Sequence, residues 1–360
     1  MKADKTGKVS VIVVDDSALV RQLLTELLNA DPDIEVVATA ADPYLAREKI
    51  KRFNPDVITL DIEMPRMDGL TFLRNLMRLR PMPVVMVSTL TEQGAQATLD
   101  ALELGAFDFV AKPKQNLANT LVDFADDICA SVKAAARSST SSPIRDTTRV
   151  ATPGIATQVI SRPMLTGLRT TEKIVAIGAS TGGVEAIRQV LSSLPSDAPG
   201  IVITQHIPGA FSEAFAKRIN GLTAMEVRQA EDGAQILPGH VYIAPGDRHL
   251  LVRRSGARYY CQLDDGAPVF RHKPSVDVLF RSVAEQVGAN AIGVMLTGMG
   301  EDGAQGMLRM KHAGAVNLAQ DERTSVVWGM PSAAIKAGAV DEVYPLSEIA
   351  SYLMAHSRQN

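Results

Sequence analysis

Short apolar runs alternate along most of the chain with stretches whose apolar positions recur at helical spacing. Early in the chain VSVIVVDD, IEVVATA, DVITLD, PVVMVS and FDFVAK read as five strands. Between and after them, helical spacing predicts helices over 19–29, 43–53, 93–104 and 119–133. Nearly continuous apolar strands joined by helices imply a doubly wound parallel sheet, because the crossovers cover both faces. The second half opens the same way, with KIVAIGA, GIVITQH and NAIGVMLTG as strands and helices over 184–194, 210–219, 276–287 and 302–313. HVYIAP, HLLVRR and RYYCQL look antiparallel, and AVNLAQ and EVYPL are later strand-like pieces. The expectation is α/β throughout: one five-stranded parallel sheet, then a second, mainly parallel domain with a short antiparallel part.

Between the halves the pattern fades. Of the 33 residues 138–170, twelve are Ser or Thr and three are Pro, too polar to offset the entropy of ordering them. The expected division is a domain over 8–130, a linker over 131–170 and a second domain over 171–356. A chain of 360 residues suits two cores better than one.

Composition narrows the function. With 46% hydrophobic and 21% charged residues the chain belongs with globular proteins, and 4% aromatics disfavours an aromatic nucleic-acid platform. The net charge of −3 divides unevenly. Residues 1–130 carry 14 basic against 20 acidic side chains, residues 131–170 carry 6 against 1, and residues 171–360 carry 17 against 19. The basic linker reads as solvated or as a partner of the acidic first domain. No overall basic field recommends nucleic acid as a partner. The two cysteines, Cys129 and Cys261, support no disulfide framework or zinc site and suit a reducing compartment. No apolar run approaches a membrane span, and the first residues lack a signal-peptide core, so a cytoplasmic protein without membrane insertion is expected.

Candidate chemistry gathers where strands end. In an open parallel sheet functional groups collect beyond the carboxyl ends of the strands. Asp15 and Asp16 end the first strand, Asp61 the third, Ser88 the fourth and Lys112 the fifth. Three converging carboxylates call for a hard divalent cation, most naturally Mg²⁺. A lysine and a hydroxyl opposite them suit a transferring phosphoryl group, and an aspartate can itself accept it. A single surface Asp at a strand end would mean little; all five groups on the proper strands are harder to dismiss.

These residues lie in VVDDS, TLDIEMPRMDG, MVSTL and VAKP, which resemble a response-regulator receiver domain. The resemblance implies a flavodoxin-like fold over about 8–130 and Asp61 as phosphoacceptor. It also implies Asp15, Asp16, Asp61 and the backbone carbonyl of Glu63 as Mg²⁺ ligands, with Ser88 and Lys112 touching the phosphoryl group. Phe109 falls at the aromatic switch position, where Tyr is frequent.

In the second half GASTG at 178–182 fits G-x-S-x-G between a strand and a helix, a turn that exposes a nucleophilic Ser180. Alone, such a turn is as easily a phosphate or dinucleotide loop. His206 ends the next strand, and Asp302 follows NAIGVMLTGMG. A Ser, a His and an Asp on parallel strand ends can meet in one crevice, with His taking the Ser proton and Asp orienting the imidazole. The bland readings are a capping or core histidine and, for Asp302, the N-cap of the helix that follows it. The order Ser, His, Asp also differs from the α/β-hydrolase order. His272, in the basic stretch FRHKPSVDVLF ahead of the candidate cap Ser275, has a place near the substrate cleft only as its lesser reading.

IGASTGG, TQHIP, IAPG, HKPSVDVLF and LTGMGEDGA, with the receiver motifs, resemble one family across both halves: the chemotaxis response regulator protein-glutamate methylesterases (CheB). Glu301 stands where that family often has Asn. The resemblance implies hydrolysis of γ-glutamyl methyl esters on chemoreceptor cytoplasmic domains, releasing methanol, and deamidation of particular receptor glutamines. It implies Ser180 as nucleophile, His206 as base and Asp302 as orienting acid, with the Thr181 and Met299 amides as oxyanion donors. Mg²⁺ would serve the receiver, and ester hydrolysis would need no cofactor. A chemotaxis histidine kinase would donate the phosphoryl group, the receiver would contact the catalytic domain, and the chain would act as a monomer. The competing class is a non-enzymatic regulator whose IGASTGG loop binds a nucleotide or partner.

Overall fold

The computed structural model describes residues 7–65, 67–89, 91–112, 118–138 and 173–357. Pro113 and most of the expected linker lie outside them.

The first half holds β1 (Val9–Val14), β2 (Ile34–Ala40), β3 (Val57–Asp61), β4 (Val84–Ser88) and β5 (Asp108–Ala111). They form one sheet in the order β2-β1-β3-β4-β5, every pair parallel, which is the flavodoxin-like order. Helices α1 (Ala18–Ala30), α2 (Pro43–Phe53), α4 (Glu92–Glu103) and α5 (Ala118–Ser138) follow the expected spacing, α5 running on to Ser138. A helix absent from the sequence expectation, α3 (Gly69–Leu79), buries Phe72, Leu73 and Leu76 and starts at Asp68, whose carboxylate accepts from the Thr71 N–H. Every residue of β3 and β4 is buried, which is why their sequences run apolar without alternation.

The second half is built on seven parallel strands in the order β14-β13-β12-β6-β7-β9-β8. These are β6 (Ile174–Ala179), β7 (Gly200–Gln205), β8 (Glu226–Gln229), β9 (His240–Ile243), β12 (Ala291–Met295), β13 (Val316–Gln320) and β14 (Glu342–Tyr344). HVYI departs from expectation. It is not antiparallel but a parallel strand, Ile201–Ile203 on one side and Glu226–Gln229 on the other. Among the described residues only β10 (His249–Ser255) and β11 (Arg258–Asp264) form an antiparallel ribbon. Helices α6 (Gly183–Ser192), α7 (Gly209–Asn220), α8 (Val276–Gln286), α9 (Ala304–His312), α10 (Met330–Lys336) and α11 (Leu346–Ser357) cover the sheet.

The two halves share an apolar cluster. Ala95 and Leu99 of α4 are fully buried with Phe211, Phe215 and Ile219 of α7. At the rim of that contact the Arg218 guanidinium reaches the carboxylates of Asp100 and Glu103. On the other side of the cleft Arg271 pairs with Asp126 of α5. Among the described residues, no helix is long and apolar enough to cross a membrane.

Candidate active site

Three adjacent strands, β12, β6 and β7, deliver Asp302, Ser180 and His206 to one edge of the second sheet. This is where the strand order reverses: the chain leaves β6 toward β7 on one side and returns as β12 on the other. Such a switch point leaves a crevice beyond the strand ends.

The turn after β6 is held tightly. The Ser180 N–H donates to the Thr297 carbonyl at 3.0 Å, and the Ser180 carbonyl accepts from the Gly183 N–H at 2.7 Å. Gly182 sits at φ +76°, and a Cβ there would lie 2.6 Å from Val326. A Cβ on Gly183 would lie 2.1 Å from Gln205 Oε1. The buried Gln205 amide donates to the carbonyls of both Ser180 and His206, at 2.9 and 3.1 Å, tying nucleophile turn to base strand. The sequence signal for this role is a polar Gln205 at the end of the apolar run GIVIT, directly before His206.

His206 Nδ1 lies 3.1 Å from Ser180 Oγ, and Nε2 lies 2.8 Å from Asp302 Oδ2. With Nε2–H donating to the carboxylate, Nδ1 offers its lone pair to the serine hydroxyl. Asp302 does not cap its own helix, as the sequence suggested; α9 begins at Ala304, after Gly303 at φ +90°. Its carboxylate reaches across to the start of α8 instead. There it accepts from the Ser275 hydroxyl at 2.8 Å, the Val276 N–H at 2.7 Å and the Asp277 N–H at 3.0 Å. Burial pushes the Asp302 carboxyl up, but the bonds from His206, Ser275 and Val276 outweigh it and hold the pKa below the usual carboxylate range. Asp302 is therefore an anion at the N-terminus of α8, where unpaired amides favour negative charge. Ser275 accepts in turn from the Val278 N–H and so caps α8 as expected.

His272 lies over this site, its ring stacked on His206 with centroids 3.8 Å apart and planes inclined by 13°. Burial first, then the neighbouring His206 and Arg271, lower its pKa to about 4. Thr181 and Met299 line the same cleft, of about 1710 Å³, whose far wall carries Phe109 and Lys112 of the first half. His249 is structural: Nδ1 accepts from the Ser275 N–H and Nε2 faces the Ala267 carbonyl.

The acidic site of the first half also assembles. The carboxylates of Asp15, Asp16 and Asp61 bring ligand atoms within 4.8 Å of one another. Lys112 Nζ lies 2.9 Å from Asp15 and 2.8 Å from Asp61. Burial raises the Asp61 pKa to about 6, against the lowering effect of Lys112 and of the Glu63 N–H that donates to it. Asp61 Oδ1 is buried without a hydrogen-bond partner, and an all-oxygen acidic donor set beside it fits a hard cation such as Mg²⁺. Ser88 is buried at the end of β4, its hydroxyl donating weakly to the carbonyls of Thr89 and Gly94. Phe109 points away from this site, into the contact between the halves.

Both halves of the chain match known protein families. Residues 175–353 match the family model CheB methylesterase, and residues 11–122 match the response regulator receiver domain. The chain is 59% identical over 354 residues to protein-glutamate methylesterase/protein-glutamine glutaminase 2 of Xanthomonas oryzae pv. oryzae, covering 98% of each. The chain belongs to the CheB methylesterase family. A Hydrogenovibrio crunogenus protein-glutamate methylesterase/protein-glutamine glutaminase is 55% identical over 371 residues, covering 97% of this chain and 99% of that one. Among solved structures, the Thermotoga maritima CheB methylesterase catalytic domain matches with 37% identity and a TM-score of 0.50. It covers 51% of this chain and 98% of that one.

Proposed function

We propose that this chain is a phosphorylation-activated protein-glutamate methylesterase, hydrolysing γ-glutamyl methyl esters on chemoreceptors, with a second activity deamidating receptor glutamines. The observation that carries the reading is the line from Ser180 Oγ through both ring nitrogens of His206 to Asp302, 3.1 and 2.8 Å. Curated relatives at 55–59% identity carry that pair of activities in their names.

Ser180 Oγ attacks the ester carbonyl while His206 Nδ1 takes its proton, and Asp302 stabilises the resulting imidazolium through Nε2. Thr181 and Met299 line the cleft with Ser180, and in this reading their amides receive the developing oxyanion. His206 then gives the serine proton to the methoxide oxygen as its bond to carbon breaks, and methanol leaves. Water activated by the same nitrogen releases the acyl group as glutamate. With a glutamine side chain the leaving group is ammonia and the sequence is the same.

Asp61 is the phosphoacceptor in this reading. Asp15, Asp16, Asp61 and the Glu63 carbonyl would hold Mg²⁺, which supplies charge neutralisation for the incoming phosphoryl oxygens. The donor is a chemotaxis histidine kinase, and Ser88 and Lys112 contact the phosphoryl group. In the unphosphorylated chain the receiver stands over the cleft that holds Ser180. Ser88 is bonded to Gly94, on the helix that packs against α7, so rearrangement at the phosphoryl site reaches the domain contact. Reversing a 99:1 equilibrium takes about 5.5 kcal/mol, so phosphorylation opens the cleft partially. The enzyme works in the cytoplasm as a monomer.

Methanol release from methylated receptor, with and without a small phosphodonor and Mg²⁺, tests the whole scheme. Ser180→Ala is expected to abolish release and leave Asp61 phosphorylation intact; retained turnover would reassign the nucleophile. Removing residues 1–170 is expected to raise basal turnover, and an unchanged rate would refute occlusion.

A further inference from the structure

We propose that His272 is a positioning residue for the general base, fixing the tilt of the His206 ring by stacking on its face; this rests on the acyl-transfer reading of Ser180, His206 and Asp302. The two hydrogen bonds of His206 run from its opposite nitrogens, in the plane of the ring. Bonds of that kind set the direction of the ring but oppose tilting about the line joining them only weakly. A contact on the ring face supplies the missing restraint. His272 makes that contact, nearly parallel at 3.8 Å between centroids.

The segment that carries His272 is held for the purpose. Val269 and His272 exchange backbone hydrogen bonds at 3.1 and 2.9 Å. Between them Phe270 and Arg271 stand at φ +50° and +66°, a region side chains rarely adopt. Unusual backbone of this kind persists only where the surroundings over-determine it. Three residues beyond His272, Ser275 bonds Asp302 and starts α8. One short segment thus anchors the acid of the triad and covers the base.

Charge sharpens the role. When His206 takes the serine proton it becomes a cation, and a second cation against its face would oppose that step. The charged and titratable groups facing His272 are His206, Asp302 and Arg271. Burial, with His206 and Arg271, keeps the His272 imidazole neutral down to about pH 4, against the pull of Asp302. A neutral ring therefore lies on His206 throughout the range in which a histidine base works.

The test uses the full chain with Mg²⁺ and acetyl phosphate, and compares His272→Phe, His272→Ala and His272→Arg. Two readouts are taken: methanol release from methylated receptor across pH, and the rate at which a fluorophosphonate labels Ser180. His272→Phe keeps a flat neutral ring and is expected to stay within about threefold of wild type in kcat. His272→Ala removes the restraint and is expected to lower kcat about ten- to a hundredfold with KM little changed. His272→Arg keeps a planar group but adds charge, and is expected to move the acid limb of the rate profile to lower pH. Labelling rates should follow the same order. The proposal is overturned if His272→Ala matches wild type, or if His272→Phe is as slow as His272→Ala, since ring nitrogens would then be required. Should His272→Ala fail to fold, the contrast between Phe and Arg decides: equal acid limbs overturn the proposal. Wild-type labelling without methanol release would refute the receptor substrate and leave the stack to be judged by labelling. No wild-type labelling would refute acyl transfer and the proposal together.

Discussion

The ring of Phe109, on β5 of the receiver, is stacked on Phe211 of α7 in the catalytic half, with centroids 5.0 Å apart and planes inclined by 18°. Phe211 is fully buried, and the pair continues the apolar cluster formed by α4 and α7. The aromatic residue three positions before Lys112 thus packs in the domain contact. An offset aromatic pair contributes about 0.5–1.5 kcal/mol beyond its buried area.

Phe109→Ala is therefore expected to loosen closure and raise the esterase rate of the unphosphorylated chain about three- to tenfold. Basal methanol release checks this, and the fully phosphorylated rate should change much less. An unchanged basal rate would mean that the stack does not hold the closed state.

Arg218 should matter less, and its effect should depend on salt. It pairs with Asp100 and Glu103 across the contact, but both carboxylates are more than 40% exposed. Exposed pairs contribute about 0.2–1 kcal/mol each and are screened by ions. Arg218→Ala is expected to raise basal activity about two- to fourfold at low ionic strength. The difference from wild type should shrink in 0.5 M NaCl, read as basal rate against salt, a concentration at which the Debye length is only about 4 Å.

Asp108 works against closure. It lies between Ser131 of α5 and Thr181, the neighbour of the nucleophile, and burial raises its pKa to about 6, partly offset by bonds from the Phe109 N–H, Thr181 and Ser131. The closed form thus binds a proton more readily than the ordinary carboxyl, whose pKa is 3.8. Protonation of Asp108 therefore favours the closed form, and that preference is lost as pH rises through about 6. Basal activity, corrected for the pH dependence of a catalytic half free of the receiver, should rise across that window. Asp108→Asn should remove the rise and give a lower basal rate at pH 7.

Asp302 combines two duties that substitution can separate. Asp302→Asn places an amide where four donors converge, and is expected to lower kcat about 10³- to 10⁴-fold while also lowering the melting temperature. Ser275→Ala removes one donor and the α8 cap, and is expected to lower kcat about tenfold and stability by about 1 kcal/mol. Methanol release and thermal unfolding followed by circular dichroism measure the two effects. Equal kcat losses for the two variants would contradict the geometry.

Strand runs such as VITLD and IVAIGA announced buried parallel strands because burial on both faces removes polar alternation, a local property of composition. Strand ends then located Ser180, His206, Asp302 and the acidic cluster, since a parallel sheet sends its strand ends to one edge. The sequence by itself thus determined the first sheet, the central strands of the second, and which residues could meet. HVYI pairs in parallel against expectation because four residues do not encode which neighbours they pair with. Only the tertiary structure decided that Asp302 serves α8 rather than its own helix, that His272 covers His206, and that Phe109 faces Phe211. Each of these joins residues from separate elements, and local periodicity carries no information about such pairs; they are set by how helices pack on the finished sheets.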